Sequence, residues 1–525
     1  MKSPVRTLLS ALLGCSAIAG SGAHAGQWAK AFGTDANEAG TLIPGSNGSY
    51  QVFALRKTAS NGTDHVFARL DANGNVTLAR QIGGSKDDSL AVLPLSNAFL
   101  VMGSTKSYPA PGGTRENLVW ARYDANWNRV HAKVFGGAGT DENGAFERVS
   151  DGGLLFTGAR TSYPAAGPSD SDILLLNTRT DGSLKWKKLL HFGLSDAATR
   201  GIELSDGYVV SGSLTSPTDG SGGLLLMKLA KATGNILWKK RLRTGATGEK
   251  FIPGSITKVT GGFVVTALVQ PENLLLGGPR SVVAKLDGSG AVLWSRSYSA
   301  SGSGVSAFNL SENTADGTLL LSGALTGSDP TSPAFGSTAA FVMRLNGSTG
   351  AISLQKRFGT GTEYSVATVI RSGDTTYLTG SYALSAREFS DNPKVLVAQL
   401  DASTLAPTWA RTFGGPNLNS KEFGGAAKIG SGYLLTGSTY SFGASTDTSS
   451  DVFGITLDAS GNYAGCFLQT LSLATSNPGV SASEATLSST NPTFTTRTLG
   501  TPTDVTLKVS NTTLPATDIC SPIGS

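Results

Sequence analysis

The sequence predicts an all-β chain: an eight-bladed β-propeller with a small C-terminal β appendage. Three observations carry this prediction. The composition is poor in charge and rich in glycine, one segment of about 55 residues recurs eight times, and each recurrence holds four short β-like runs. Charged residues make up 15% of the 525, against about 25% in ordinary domains, and glycines number 67. Long amphipathic helices need a dense polar face that this chain does not supply, whereas turn-rich β structure tolerates glycine well.

Residues 1–25 are expected to be a signal peptide and are set apart from the fold. Lys2 and Arg6 form a basic start, Leu8 to Gly14 an apolar run, and Ala23-His24-Ala25 a small-x-small cleavage pattern. The expectation is export to the periplasm, the outer surface or the extracellular space. Leu12-Leu13-Gly14-Cys15 also resembles a lipoprotein box, so a lipid anchor at Cys15 is the alternative processing. No later run approaches 18 unbroken apolar residues, so no transmembrane segment is expected in the mature chain. Formal net charge is +5 with no block of Lys and Arg, which argues against a nucleic-acid partner.

The propeller is expected over residues 26–466. Its clearest repeat is Trp-x-Lys/Arg-x-aromatic-Gly, seen at Trp28 to Gly33 and at Trp409 to Gly414. Weaker copies centre on Leu78, His131, Trp186, Trp238, Trp294 and Leu354, with a degenerate one at Gly465. Between successive copies lie a Gly-led apolar run such as Gly432 to Ser438, a variable loop, and a strand ending in basic-Leu-Asp such as Lys285-Leu286-Asp287. Asn-Gly and Ser-Gly turns, as in Asn73-Gly74 and Ser460-Gly461, lead back to the next Trp strand. A less regular run precedes each Gly-led one, as at Gly144 to Val149.

Four strands per repeat is the pattern of propeller blades. A membrane barrel would need lipid-facing alternation along strands of about ten residues. Nine Trp-type strands serve eight Gly-led runs. The spare one, Gln27 to Gly33, is therefore expected to pair into the last blade and close the ring. Seven blades remain the alternative if one copy is absorbed into an insertion.

After Cys466 the composition shifts to Ser, Thr and Pro, and residues 467–525 read as an appendage or strapped tail. In an oxidising compartment Cys466 and Cys520 are expected to pair, tying the tail back.

These copies resemble the secreted bacterial β-propeller repeats whose consensus joins Gly-Gly-x-Gly-x-Asp, Asp-Gly-Gly and Lys-Leu-Asp. The matching residues are Gly136 to Asp141, Asp151 to Leu155 and Lys285 to Asp287. The resemblance spans roughly residues 27 to 466 and implies the fold without implying a function. A weaker similarity links Lys231 to Trp238 with the repeats of pyrroloquinoline-quinone propellers. That family implies a calcium site and, in many members, adjacent cysteines. This chain has no Cys-Cys, so its Trp residues are read as packing groups between blades.

Residues with chemical potential are sparse. His65, His131 and His191 fall in different repeats without metal-ligand spacing, and no Gly-x-Ser-x-Gly elbow occurs. Neither a catalytic residue nor a cofactor-binding residue is assigned. Asp87-Asp88, Asp170 with Asp172, and Asp447 with Asp451 sit in Gly/Ser-rich loops. Asp170 and Asp172 are the metal candidates, with calcium the ion such oxygen ligands would take. Trp120 and Trp127 stand outside the repeat register and are expected to be freer to face solvent.

The loops after the Gly-led strands carry Ser107-Tyr108-Pro109, Ser162-Tyr163-Pro164 and Thr439-Tyr440-Ser441. Tyr108, Tyr163 and Tyr440 are thus the candidate ligand-binding residues. The functional expectation is a non-enzymatic module that takes a protein or glycan on one face of the disk. The alternatives are a propeller enzyme, quinone-dependent or calcium-dependent and carbohydrate-active, and a structural envelope or matrix component.

Overall fold

The computed structural model describes residues 27–519 except 35, 46–47, 59–61, 96–97, 109–115, 136–139, 162–170, 182, 194, 216–221, 245–247, 272–277, 328–337, 360–363, 384–391, 416–420, 443–448, 464–467, 497–502, 505–506 and 508. The expected signal peptide, Cys15, Asp170, Tyr163, Asp447, Cys466 and Cys520 lie outside the described residues.

The described strands form eight antiparallel blades, each with its strands in sequence order. Blade 1 comprises Asn37–Pro44, Tyr50–Thr58, Gly62–Leu70 and Val76–Ile82; blade 2 comprises Asp88–Leu95, Ala98–Thr105, Asn117–Asp124 and Arg129–Phe135. Blade 3 comprises Thr140–Arg148, Leu154–Thr161, Ser171–Thr178 and Leu184–His191. Blade 4 comprises Asp196–Leu204, Gly207–Thr215, Gly222–Leu229 and Ile236–Arg243. Blade 5 comprises Lys250–Val259, Gly262–Gln270, Arg280–Leu286 and Val292–Ser299. Blade 6 comprises Ser303–Asn313, Thr318–Gly327, Thr338–Leu345 and Ile352–Phe358. Blade 7 comprises Tyr364–Ser372, Thr375–Ala383, Lys394–Leu400 and Pro407–Phe413.

Blade 8 holds Glu422–Ile429, Gly432–Thr439 and Asp451–Leu457, and borrows Ala29–Phe32 as its fourth strand, Ala29 opposite Ile455 and Phe32 opposite Val452. The spare Trp strand therefore closes the ring.

Of the two forms expected of it, an appendage or a strapped tail, the tail takes the strap. Among the described residues it forms no sheet of its own. It lays one short fifth strand on the outer edge of every blade, taking the blades in reverse order. Leu468–Thr470 lies on blade 7, Thr475–Ser476 on blade 6, Ser481–Glu484 on blade 5 and Ser488–Thr490 on blade 4. Thr495–Thr496 follows on blade 3, Thr503–Asp504 on blade 2, Val509–Asn511 on blade 1 and Ala516–Asp518 on blade 8. The chain thus girdles the disk once.

The physical reason is twofold. A fourth strand left bare presents unpaired N–H and C=O groups, which the belt pairs. Its apolar residues recur at about every seventh position and enter the grooves between blades. Leu473 packs between blades 6 and 7, Val480 between 5 and 6, Leu487 between 4 and 5, and Phe494 between 3 and 4. Leu507 and Leu514 do the same between blades 1 and 2 and between 8 and 1. Seven extended residues reach about 23 Å, so eight steps suit a ring about 30 Å in radius.

The core is a set of clusters, one at each blade interface. The indole of a fourth strand lies over the hairpin turn of the next blade: Trp186 Nε1 donates to Lys231 O (2.9 Å) and Trp294 Nε1 to Gly347 O (3.1 Å). The turn beneath must be flat. At Gly234 (φ +65°) an added Cβ would stand 2.6 Å from the Trp186 ring.

Two interfaces invert this fit. Where blade 1 has Leu78, the turn of blade 2 supplies Trp127 (φ 65°), whose ring stacks on Phe99 at 4.7 Å. Where blade 6 has Leu354, blade 7 supplies Leu405 (φ 56°). In both, the turn supplies a large apolar side chain where interfaces with an indole on the fourth strand have glycine beneath it. Trp127, expected to be freer, is therefore buried, and Trp120 is buried separately, stacked on Phe135 at 4.0 Å between blades 2 and 3.

The basic residue of the Trp-x-Lys/Arg motif performs a related task. Lys30 reaches Asn75, Lys188 Asn235, Lys240 the Gly290 carbonyl, Arg296 the Thr349 carbonyl and Arg411 Asn462, each on the neighbouring hairpin.

Candidate binding face

Antiparallel order places the ends of the second and fourth strands and the starts of the first and third on one side of the disk. All eight connections between second and third strands leave from this side, and so do the crossings from blade to blade. They span residues 59–61, 106–116, 162–170, 216–221, 271–279, 328–337, 384–393 and 440–450.

A buried acid stands at or beside the first strand's start in five blades: Glu38, Asp88, Asp196, Glu249 and Glu422. Each is engaged by the crossing that precedes it. Asp196 Oδ2 accepts the N–H groups of Phe192 (2.5 Å) and Gly193 (2.7 Å). Asp88 accepts Gly84 N–H (3.0 Å) and the Thr105 hydroxyl (2.6 Å). Glu38 accepts the Thr34 hydroxyl (2.7 Å) and Arg56 Nε (2.7 Å). Glu249 accepts Arg280 (2.5 Å) and the Thr244 hydroxyl, and Glu422 the Gly415 N–H of its crossing and the hydroxyls of Ser441 and Thr439.

Burial in apolar surroundings disfavours the charged form. Desolvation pushes Asp196 up to about 6 and Glu422 up to about 7, despite the hydrogen bonds that oppose the shift. Both stand at the start of their blade's innermost strand, in blades 4 and 8, which lie opposite one another in the ring.

The metal candidate Asp172 is buried at the start of blade 3's third strand, where its Oδ1 pairs with His191 Nδ1 at 2.9 Å. Asp196 Oδ2 lies 4.0 Å from the same nitrogen. Among the described residues no group of three His, Cys, Asp or Glu is arranged to hold a metal ion. Asp87 caps Thr63 N–H (3.1 Å) and faces Lys106 (3.6 Å), and Asp451 is buried beside Gly33. His65 is buried and accepts Leu90 N–H at Nε2 (2.6 Å); desolvation holds it down to about 3, as a neutral ring. His131 lies on blade 2's fourth strand.

Of the candidate tyrosines, Tyr108 is half-buried at the interface of blades 1 and 2 and donates its hydroxyl to Gly83 O (2.7 Å), anchoring the base of its loop. Tyr440 begins the loop of blade 8, its N–H bonded to Lys421 O (3.1 Å), and nearby Phe442 stacks on Phe413 at 5.7 Å.

Sequence reasoning missed the hydroxyls of the blades' middle strands. Ser438 accepts Gly40 N–H of the next blade, Thr436 accepts Leu42 N–H, Ser281 accepts Ala307 N–H, and Ser322 accepts Val369 N–H. The recurring Thr-Gly-Ser of the Gly-led run was the available signal.

No family model matches the sequence, and no curated protein matches it. Among solved structures, the chain is similar to a xylan beta-1,4-xylosidase from Bacillus Halodurans C-125. The identity is 10% and the TM-score 0.25, over 83% of this chain and 96% of that one. A likeness of that degree says nothing of what this chain binds. The strand order is what assigns the fold: this chain is an eight-bladed β-propeller girdled by its own C-terminal tail.

Proposed function

We propose that this protein is an exported, non-enzymatic binding module that takes a protein or glycan on the face bearing the connections between second and third strands. One observation carries the reading. Connections of very different length, from 59–61 to 440–450, leave a single face over a framework whose buried carboxylates are held by turn N–H groups, hydroxyls and arginines. A rigid scaffold bearing variable loops is a common way to build recognition surfaces.

The second reading, a propeller enzyme, draws on the raised Asp196 beside His191 and Asp172.

Export by the N-terminal signal, with a lipid anchor at Cys15 as the alternative, belongs to the same proposal, and so does the Cys466–Cys520 disulfide. Their described neighbours Leu468 and Ile519 pack into one cluster between blades 7 and 8, so such a bond would join the two ends of the belt.

The test is a glycan array and envelope-protein binding screen of the mature chain, with its metal content measured. Shortening the connections within 109–115 and 162–170, which spares Tyr108 and its bond to Gly83, is expected to abolish binding and leave the melting curve unchanged. Binding that survives both deletions refutes the loop-face reading. Stoichiometric calcium with turnover of a glycoside would replace it with the enzyme.

A further inference from the structure

The outer wall of the disk is chemically uneven. One residue past the indole position of each fourth strand, blades 8, 1, 2, 5, 6 and 7 carry Ala29, Ala79, Ala132, Ser295, Gln355 and Ala410. Blades 3 and 4 carry lysine there, Lys187 and Lys239. Because strand side chains alternate, Lys239 turns back toward blade 3, while Lys188 of blade 3 turns toward blade 4. The two ammonium-bearing side chains line opposite walls of one cleft of about 450 Å³. Its floor is the hairpin turn at Gly234 and Asn235, and the belt crosses its far end through Asn491, Phe494 and Thr496.

We infer that this rim cleft between blades 3 and 4 binds an acidic polysaccharide, whose carboxylate or sulfate groups are met by Lys188 and Lys239. Nearby acids are engaged elsewhere: Asp151 with Lys185, Glu203 with Lys231, Asp206 with Lys228, and Asp172 with His191. The belt contributes no acid between Glu484 and Asp504. Arg241 and Arg243 extend the same strand, so the field over the cleft is positive and attracts an anion along the rim.

The neutral lining suits a sugar chain. Leu237 is 55% exposed, and the Phe494 ring, with the Lys239 ammonium 5.2 Å from its centre, offers an apolar surface for sugar C–H groups. Asn491 and Thr496 supply hydrogen bonds for hydroxyls. A cleft bounded by two blades and a crossing strand admits a single extended chain; a duplex is too wide, and a flat bilayer would touch only the convex rim. This surface is separate from the loop face, so the inference stands whether or not the loop-face reading does.

The experiment measures binding of the full mature chain to polygalacturonate and to a heparin fragment at low and high salt. Neutral xylan, anionic phospholipid vesicles and duplex DNA serve as comparisons. Lys239→Gln is expected to weaken polysaccharide binding about five- to tenfold, and the pair with Lys188→Gln by more than about twentyfold. Leu237→Glu, at an exposed position, is expected to abolish it. Lys356→Gln removes the same charge from blade 6 and is expected to change nothing. Equal loss in Lys356→Gln, equal competition by xylan, tighter binding of vesicles or DNA, or no binding at all would each overturn the inference. Unchanged melting curves identify folded variants, and the loop-shortened protein is expected to bind normally here.

Discussion

The turn beneath each indole offers the sharpest test of how the blades fit. Gly234 has φ +65°, and a Cβ there would meet the Trp186 ring at 2.6 Å, well inside contact distance. Gly234→Leu places a side chain in left-handed backbone, at about 1–2 kcal/mol, and overfills a packed interface, at about 1–3 kcal/mol. The single variant should therefore lose about 2–5 kcal/mol. Trp186→Leu alone leaves a void over the same turn and should lose about 2–3 kcal/mol. Together the two recreate the arrangement found at Leu354 and Leu405, so the side chain of one fills the space vacated by the other. The double variant should recover about 1–3 kcal/mol relative to the sum of the singles. Urea denaturation followed by circular dichroism reads this as a shift in midpoint at constant slope. Additivity within about 0.5 kcal/mol would refute the claim that interface volume is shared between indole and turn.

Three further predictions follow from the same geometry. Glu422 titrates near 7 in the folded chain against 4.5 for the free side chain, so the folded state holds the proton more tightly between those values. Its contribution to stability should be full below about 4.5 and fall by about 3 kcal/mol as pH rises through 7, and Glu422→Gln should remove that part of the slope in a pH series of melts. Leu514→Ala, at a buried belt anchor, should cost about 2–3 kcal/mol and hasten protease cleavage of the tail, read by mass spectrometry of the fragments. If Cys466 and Cys520 are joined, Cys520→Ala should lower stability by at most about 4 kcal/mol; equal melts with and without reductant would count against the bond.

Asp196 and Glu422 show why the loop face is hard to read from one dimension. As letters, the acids of this face look like candidate ligands or catalysts. In the fold, five of them fasten crossings between blades, because a crossing exposes N–H groups that no ladder satisfies. Asp172, at the start of blade 3's third strand, lies beside His191 on the fourth. Tyr108, a candidate recognition residue, donates its hydroxyl to Gly83 at the base of its loop.

The repeat was legible because every blade must solve the same problem: a bulky indole on a fourth strand, a turn beneath it, and a basic residue reaching across. Local pattern suffices to announce such a unit, and the spare N-terminal strand announced the closure. The path of the tail was not legible. Its Ser- and Thr-rich segments have almost no pattern until the disk exists, since each is defined by an edge and a groove that belong to other parts of the chain. The reciprocal exchange of Leu78 for Trp127 and of Leu354 for Leu405 is hidden for the same reason. Likewise Lys188 and Lys239, about fifty residues apart, become partners only when two blades stand side by side. Residue type and period determine the blade; which surfaces meet, and so where charge gathers, is decided only by the closed ring.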